Sequence, residues 1–182
     1  GGGGTAWAPT LHHEGREDQA GGLFSEAESI LQGDAPDAIL YSLWGFRYCE
    51  LLLGQGQVQE VKERAAQTLE LAKQQLGLLS IALDNLSLGC AWLLEAHKAG
   101  TSNITQAAEF LQRAVDGLRQ AGRMDHLPRG LLARVALHRF DGDYGRAERD
   151  LAEVLRIATR GGMGLFLADY HLESARLRLA QG

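Results

Sequence analysis

A short turn pattern followed by an amphipathic stripe recurs along the chain, and this recurrence restricts the fold more than any other feature. Its clearest copy is residues 142–147, Gly-Asp-Tyr-Gly-Arg-Ala. Residues 22–27 carry the same glycine, aromatic residue and alanine at the same offsets, and residues 56–61 are a weaker copy. Glycine can end a helix in a left-handed conformation, and the large apolar residue two places on can pack the next helix against the previous one. The pattern therefore predicts a helical repeat.

The residues that follow the turn have the period of an amphipathic helix. Behind Ala147, the apolar residues fall four, seven, eight and eleven places on, which places them on one helix face. The same stripe returns at Val61 and at Ala107. The members of the three stripes are Ala147, Leu151, Val154, Leu155 and Ala158; Ala107, Leu111, Ala114, Val115 and Leu118; and Val61, Ala65, Thr68, Leu69 and Ala72.

A second helix type alternates with the first. It is recognised by the position of Gly89, where a small residue lets the following helix cross closely. Aligned on the turn glycines, Gly89 corresponds to Cys49, Val135 and Ala175, with spacings of 40 (89−49), 46 (135−89) and 40 (175−135). The six extra residues localise to 97–105, which we interpret as a loop insertion. Leucine at position 89 should overpack the crossing, whereas leucine at Gly100 in the inserted loop should be tolerated.

Leu88, Gly89 and Trp92, followed by Ala107 and Leu111, resemble the tetratricopeptide repeat (TPR) pattern. The runs 40–52 and 127–134 are similar to stretches in the repeat region of bacterial signalling NTPases of the NACHT or STAND type. The resemblance covers residues 22–182. It implies an all-α fold, a TPR-like right-handed α-solenoid of antiparallel helix pairs with about seven to eight helices.

The turn and helix-cap residues divide the chain into a lead-in and a repeat domain. Residues 1–21 are rich in glycine and polar residues without a period, which predicts a flexible lead-in. Residues 22–182 form the helical repeat domain, with Asp37, Asn103 and Pro128 at predicted helix starts. The predicted helices are a short one at 24–31, the pairs 37–76 (37–53 with 57–76), 78–121 (78–98 with 104–121) and 127–160 (127–141 with 144–160), and a terminal half-repeat at 163–181.

The resemblance also implies where a partner would bind. In the family, the first helix of each pair lines the concave groove, where a protein or peptide binds. The Lys and Asn pattern that clamps a peptide carboxylate in some members is absent, because Phe46, Leu86 and Leu132 occupy the lysine places. The groove candidates at the matching positions are Trp44, Arg47, Glu50, Asp84, Ser87, Arg129, Asp169, Glu173 and Arg176.

No motif predicts catalysis, a cofactor or a metal ion. Gly54 and Gly56 form a lone Gly-x-Gly without a preceding strand, and no phosphate-binding loop motif occurs. The adjacent His12 and His13 lack further ligands. A group of titratable residues near the 142 turn could supply a base and its orienting acid, but no nucleophile accompanies it, so capping and solvated roles are favoured. Its members are Asp125, His126, His138, Asp141 and Asp143.

Charge and cysteine content favour an intracellular protein that binds neither nucleic acid nor a membrane. The net charge is −5, and most arginines lie beside Asp or Glu at helical spacing, unlike the basic face of a nucleic-acid-binding protein. Cys49 and Cys90 lie on apolar helix faces, which predicts buried free thiols and a reducing, cytoplasmic compartment. No apolar run approaches the ~18 residues of a membrane span.

The sequence is compatible with two functions. The first is a non-catalytic scaffold for protein–protein interaction, the partner- or ligand-sensing repeat region of a larger signalling NTPase. The second is a free-standing TPR adaptor or co-chaperone. Gly182 aligns with the mid-repeat glycines, so the half-repeat 163–181 lacks its partner helix, and either further repeats follow or this end docks on another chain. We expect the chain as given to self-associate through the stripe of Leu165, Leu172, Ala175 and Leu179.

Overall fold

A computed structural model describes residues 17–34, 38–75, 77–101 and 103–182. Within these ranges the chain is all α-helical, with no strand, as the sequence predicts. The eight helices are α1 (Glu17–Asp34), α2 (Ser42–Gly54), α3 (Val58–Gln74), α4 (Leu78–Ala99), α5 (Thr105–Gln120), α6 (Leu127–Asp141), α7 (Tyr144–Arg160) and α8 (Gly164–Gln181).

Helices pack in chain order. From α2 onward, the backbone of each helix contacts that of the next helix along the chain. In addition, α2 contacts α4, α4 contacts α6, and α6 contacts α8. The odd helices α3, α5 and α7 have no backbone contact with each other. The even helices therefore form one layer and the odd helices a second, joined by short connections that reverse the chain.

Helix α4 lies at the centre of this arrangement, against α2, α3, α5 and α6. Leu83, Leu86 and Leu93 belong to its fully enclosed side chains. Because α4 is covered on several sides, it is apolar around most of its circumference and is long and apolar enough to cross a membrane by length and composition alone. That overturns the expectation that no run is long enough. It is weak evidence for a span, because 67% of its most apolar window is buried inside the protein, as in the core helix of a soluble protein.

Left-handed glycines follow several helices. Gly56 and Gly142, which open two copies of the turn pattern, have positive φ after α2 and α6, and Gly122 and Gly162 have positive φ after α5 and α7. Gly22 does not follow the pattern, because it lies inside α1. Residues 17–21, predicted as part of a flexible lead-in, belong to the same helix. The rest of that lead-in, with His12 and His13, and the predicted cap Asp37 lie outside the described residues.

The close crossing at Gly89 is present, but Gly100 in the inserted loop does not tolerate the change predicted for it. A Cβ at Gly89 would lie 2.7 Å from Leu111 Cγ and Cδ2 and 3.0 Å from the Leu111 backbone nitrogen. The connection between α4 and α5 has five residues, 100–104, the length that the predicted helices 78–98 and 104–121 also leave. Gly100 has φ 61° as the C-cap of α4. A leucine there is strained although space is open, so the prediction that it is tolerated was wrong.

Candidate functional site

Three of the predicted groove residues meet around one carboxylate. Arg47 Nη1 donates to Glu50 Oε2 at 3.1 Å, and Arg129 Nη1 donates to Glu50 Oε1. Glu50 and Arg129 come from α2 and α6, which have no backbone contact with each other, so the ion pair spans the intervening helix α4. The structure thus joins two segments that lie far apart in the sequence.

Aromatic rings flank the Arg129 guanidinium. Its Cζ lies 5.4 Å from the centroid of the Phe46 ring on α2 and 5.7 Å from that of the Phe166 ring on α8. Both distances allow a cation–π contact. Arg129 therefore contacts side chains from α2 and α8, at the two ends of the even layer. Neither phenylalanine was among the predicted groove residues, although Phe46 lies next to Arg47 in the sequence.

A second carboxylate cluster lies between α6 and α8. Arg176 Nη1 donates to Glu173 Oε1 at 2.5 Å, and Arg139 Nε lies 3.5 Å from Glu173 Oε2. Glu173 and Arg176 were predicted; Arg139 was missed. No local sequence pattern marks Arg139, because its partner Glu173 lies on another helix. Asp169, the remaining α8 candidate, is half-buried.

Trp44 is the most exposed large side chain of the predicted groove, with 67% of its surface accessible. It lies three residues before Arg47, which places the two side chains on the same face of α2. Arg47 is itself exposed beyond its bond to Glu50. Together they place an indole and a guanidinium on the surface beside the Glu50 cluster.

Asp84 and Ser87 do not line an open surface, contrary to the prediction. Both lie on α4 and are buried, Asp84 with 3% of its surface accessible. Thr68 Oγ1 on α3 donates to Asp84 Oδ1 at 2.8 Å. Burial raises the pKa of Asp84 to about 7, and the hydrogen bond from Thr68 opposes this shift. Because α4 is the enclosed central helix, positions that would be open on an outer helix lie inside the protein.

The titratable residues around the 142 turn do not form one cluster. His126 lies before α6 with its Nε2 3.5 Å from Asp125 Oδ2, whereas His138 lies in the last turn of α6 with its Nε2 3.8 Å from Asp150 Oδ2. Desolvation by burial lowers the pKa of both histidines. Twelve residues of helix separate them by about 18 Å. Asp143 accepts a hydrogen bond from the Arg146 backbone nitrogen as the N-cap of α7, the capping role favoured from the sequence.

Both cysteines are buried and free, as predicted. Burial raises the pKa of Cys49 to about 12, and desolvation raises that of Cys90 as well. Such thiols react slowly, since the thiolate is the reactive form. Within the described ranges, no three His, Cys, Asp or Glu residues form a group that could hold a metal ion.

No protein-family model matches the chain, and neither the curated proteins nor the solved structures contain one that is significantly similar to it.

Proposed function

We propose that the chain is a non-catalytic scaffold that binds a protein or peptide on the face of its even helices. The observation that carries the proposal is Trp44, which stands exposed one helical turn from Arg47 and beside the Glu50–Arg129 pair. Tryptophan and arginine are the residues most enriched among those that dominate binding energy at protein interfaces.

The arrangement of the even helices supports this face as the concave one. Side chains of α2 and α8 both reach Arg129 on α6, although the α2 backbone contacts neither α6 nor α8. An even layer that bends toward Arg129 would form a groove with Trp44 and Arg47 at one end. Four arginines and two glutamates lie along it, so an acidic or neutral segment fits better than a basic one. Those residues are Arg47, Arg129, Arg139, Arg176, Glu50 and Glu173.

The TPR-like solenoid and the link to a larger signalling NTPase remain parts of this proposal. The order of helix contacts supports the first, because stacked helix pairs contact only their neighbours. The second rests on the resemblance of residues 40–52 and 127–134 alone. A nucleotide-binding motif encoded upstream of residue 1 would support it, and an unrelated upstream sequence would favour the adaptor.

Selection from a random peptide library on the immobilised chain tests the binding face. The affinity of the enriched peptides is then measured by fluorescence anisotropy for the wild type and for Trp44→Ala and Arg47→Glu. We expect each change to weaken binding at least tenfold. Arg113→Glu, a reversal of an exposed charge on α5, is the matched control and should leave the affinity unchanged. A selection without enrichment, or a loss of affinity with Arg113→Glu alone, would contradict the proposal.

A further inference from the structure

Helix α8 has two distinct faces. Phe166, Tyr170, Glu173 and Leu177 face the protein, with Leu177 and Glu173 buried and the two rings partly buried against the core. The opposite face carries five exposed apolar residues at intervals of three, four, three and four. They are Leu165, Ala168, Leu172, Ala175 and Leu179.

These intervals are those of a coiled-coil seam. Apolar residues spaced alternately by three and four keep one line of contact facing a second helix. Leu165 and Leu179 are 81% and 83% accessible, so the ends of the seam are largely uncovered by the rest of the chain. The seam alternates between a large and a small residue, leucine and alanine, along its whole length.

This alternation selects an antiparallel pairing with a second α8. In an antiparallel pair the two seam positions face each other, so Leu172 lies opposite Ala175 of the second copy and Ala168 lies opposite Leu179 of the second copy. Each layer then combines one large and one small side chain, which fills space evenly. A parallel pair would place leucine on leucine and alanine on alanine, and the alanine layers would leave gaps.

The charges beside the seam agree with the same register. With Leu172 opposite Ala175, Asp169 of one copy lies next to Arg176 of the other, and two-fold symmetry repeats the contact. Arg176 bonds to Glu173 through Nη1, and its remaining donors can serve the second contact because a guanidinium has five N–H groups. A parallel pair would place Arg176 beside His171 and bring no carboxylate to it.

We propose that two copies of this chain associate through the exposed seam of α8, antiparallel, with Leu172 next to Ala175 of the other copy and Asp169 next to Arg176 of the other copy. Arg176 also lies along the proposed peptide-binding face, but the seam residues Leu172 and Leu179 do not, so their variants test the dimer separately. Four leucine–alanine layers bury much less than the ~1,600 Å² of a standard interface, so the dimer is weak and forms reversibly with concentration.

Sedimentation equilibrium of the 182-residue chain over a wide concentration range tests the association. We expect a monomer–dimer equilibrium whose dissociation constant rises at least tenfold with Leu172→Glu and with Leu179→Lys. Leu179 is too exposed for its change to affect folding. The control is Leu155→Glu on α7, because Leu155 is 36% and Leu172 is 37% accessible; it should change the constant less than twofold. A monomer at every concentration, or an equal effect of the control, overturns the proposal.

Disulfide cross-linking tests the orientation. Ala168→Cys and Leu179→Cys chains, prepared separately and mixed under oxidation, should give mainly the mixed dimer, because only the antiparallel register brings these positions together. The native thiols are buried and do not interfere. Cross-linking of Leu179→Cys with itself at equal or higher yield would show a parallel pair and overturn the proposed register.

Discussion

Arg129 on α6 donates to the carboxylate of Glu50 on α2 across the central helix α4, and Arg47 donates to the other oxygen of the same carboxylate. Both oxygens of Glu50 are therefore bonded to guanidinium groups. Glu50 and Arg129 are largely buried, so the contact is screened by water less than an exposed pair. It joins two helices whose backbones do not meet.

Loss of the Arg129 charge should destabilise the fold. Arg129→Met keeps a long apolar side chain but leaves Glu50 with Arg47 alone, at a cost of ~1–3 kcal/mol in the free energy of unfolding. Urea denaturation measures it. Arg113→Met, in an exposed pair with Glu109, should cost less than ~0.5 kcal/mol. Equal losses in the two variants would show that the Glu50 contact stabilises the fold no more than an exposed ion pair does.

Asp84 should make stability fall as the pH rises. Its pKa in the folded protein is raised from 3.8 to about 7, so its contribution is fully present below the unfolded pKa and is lost as the pH rises through 7. Asp84→Asn removes this dependence and should gain on the order of 3 kcal/mol relative to the wild type between pH 4 and pH 8. Denaturation across that range measures the difference. A flat difference for Asp84→Asn would refute the prediction.

Gly89 should not tolerate even a methyl group. Its Cβ would lie 2.7 Å from Leu111 side-chain atoms, and this overpacking should cost ~1–3 kcal/mol in Gly89→Ala. Gly54, the last residue of α2, has no positive φ, and a Cβ added there would meet no atom within 4 Å. Gly54→Ala should therefore be neutral or slightly stabilising. Thermal melts rank the two variants, and the reverse order would show that α4 and α5 cross elsewhere.

The bidentate pair between α6 and α7 should require arginine. Arg134 Nε and Nη2 each donate to a different oxygen of Asp150 at 2.7 Å. Arg134→Lys keeps the charge but loses the planar fork, which should cost ~1–3 kcal/mol. Arg156→Lys on the exposed side of α7 provides the comparison. Because Arg156 Nη2 lies 3.7 Å from Glu153 Oε1, this change should be near neutral. Chemical denaturation that finds Arg134→Lys neutral would contradict the role of the fork.

The thiols should be protected until the protein unfolds. Cys49 and Cys90 are buried, and burial raises the pKa of both. Their reaction with Ellman's reagent should therefore be slower in the native protein than in denaturant by ~1,000-fold or more, since it waits for unfolding. A stopped-flow absorbance trace follows it. A fast native phase for either thiol would place that cysteine at the surface.

Local helix-start and helix-end residues in the sequence were sufficient to predict the helices near the C-terminal end of the chain. The predicted helices 127–141 and 144–160 coincide with α6 and α7. Pro128 lies in the first turn of α6, and Gly142 is its left-handed C-cap. These are short-range effects, in which φ angles and missing N–H groups act within a few residues. The sequence therefore contains them directly.

Contacts made over long distances explain what the sequence analysis missed. Gly21 and Gly22 suggested a break, but α1 continues through them, and Phe24 further along stacks on Tyr48 with ring centroids 5.0 Å apart. Glu28 accepts a hydrogen bond from the Leu40 backbone nitrogen at 2.7 Å. The polar residues Asp84 and Ser87 were placed at the surface for the same reason: no local pattern reveals that α4 is covered by four other helices.

The order of helix contacts has a consequence for synthesis. Backbone contacts join each helix only to its next neighbour or the one after, so every part of the core can be completed by residues that leave the ribosome soon after it. Structures rich in such near-sequence contacts fold quickly, and they leave little apolar surface waiting for a distant segment. The Glu50–Arg129 pair, 79 residues apart (129−50), is an exception that forms only when α6 emerges. Nascent chains of increasing length should therefore gain protease resistance one helix at a time.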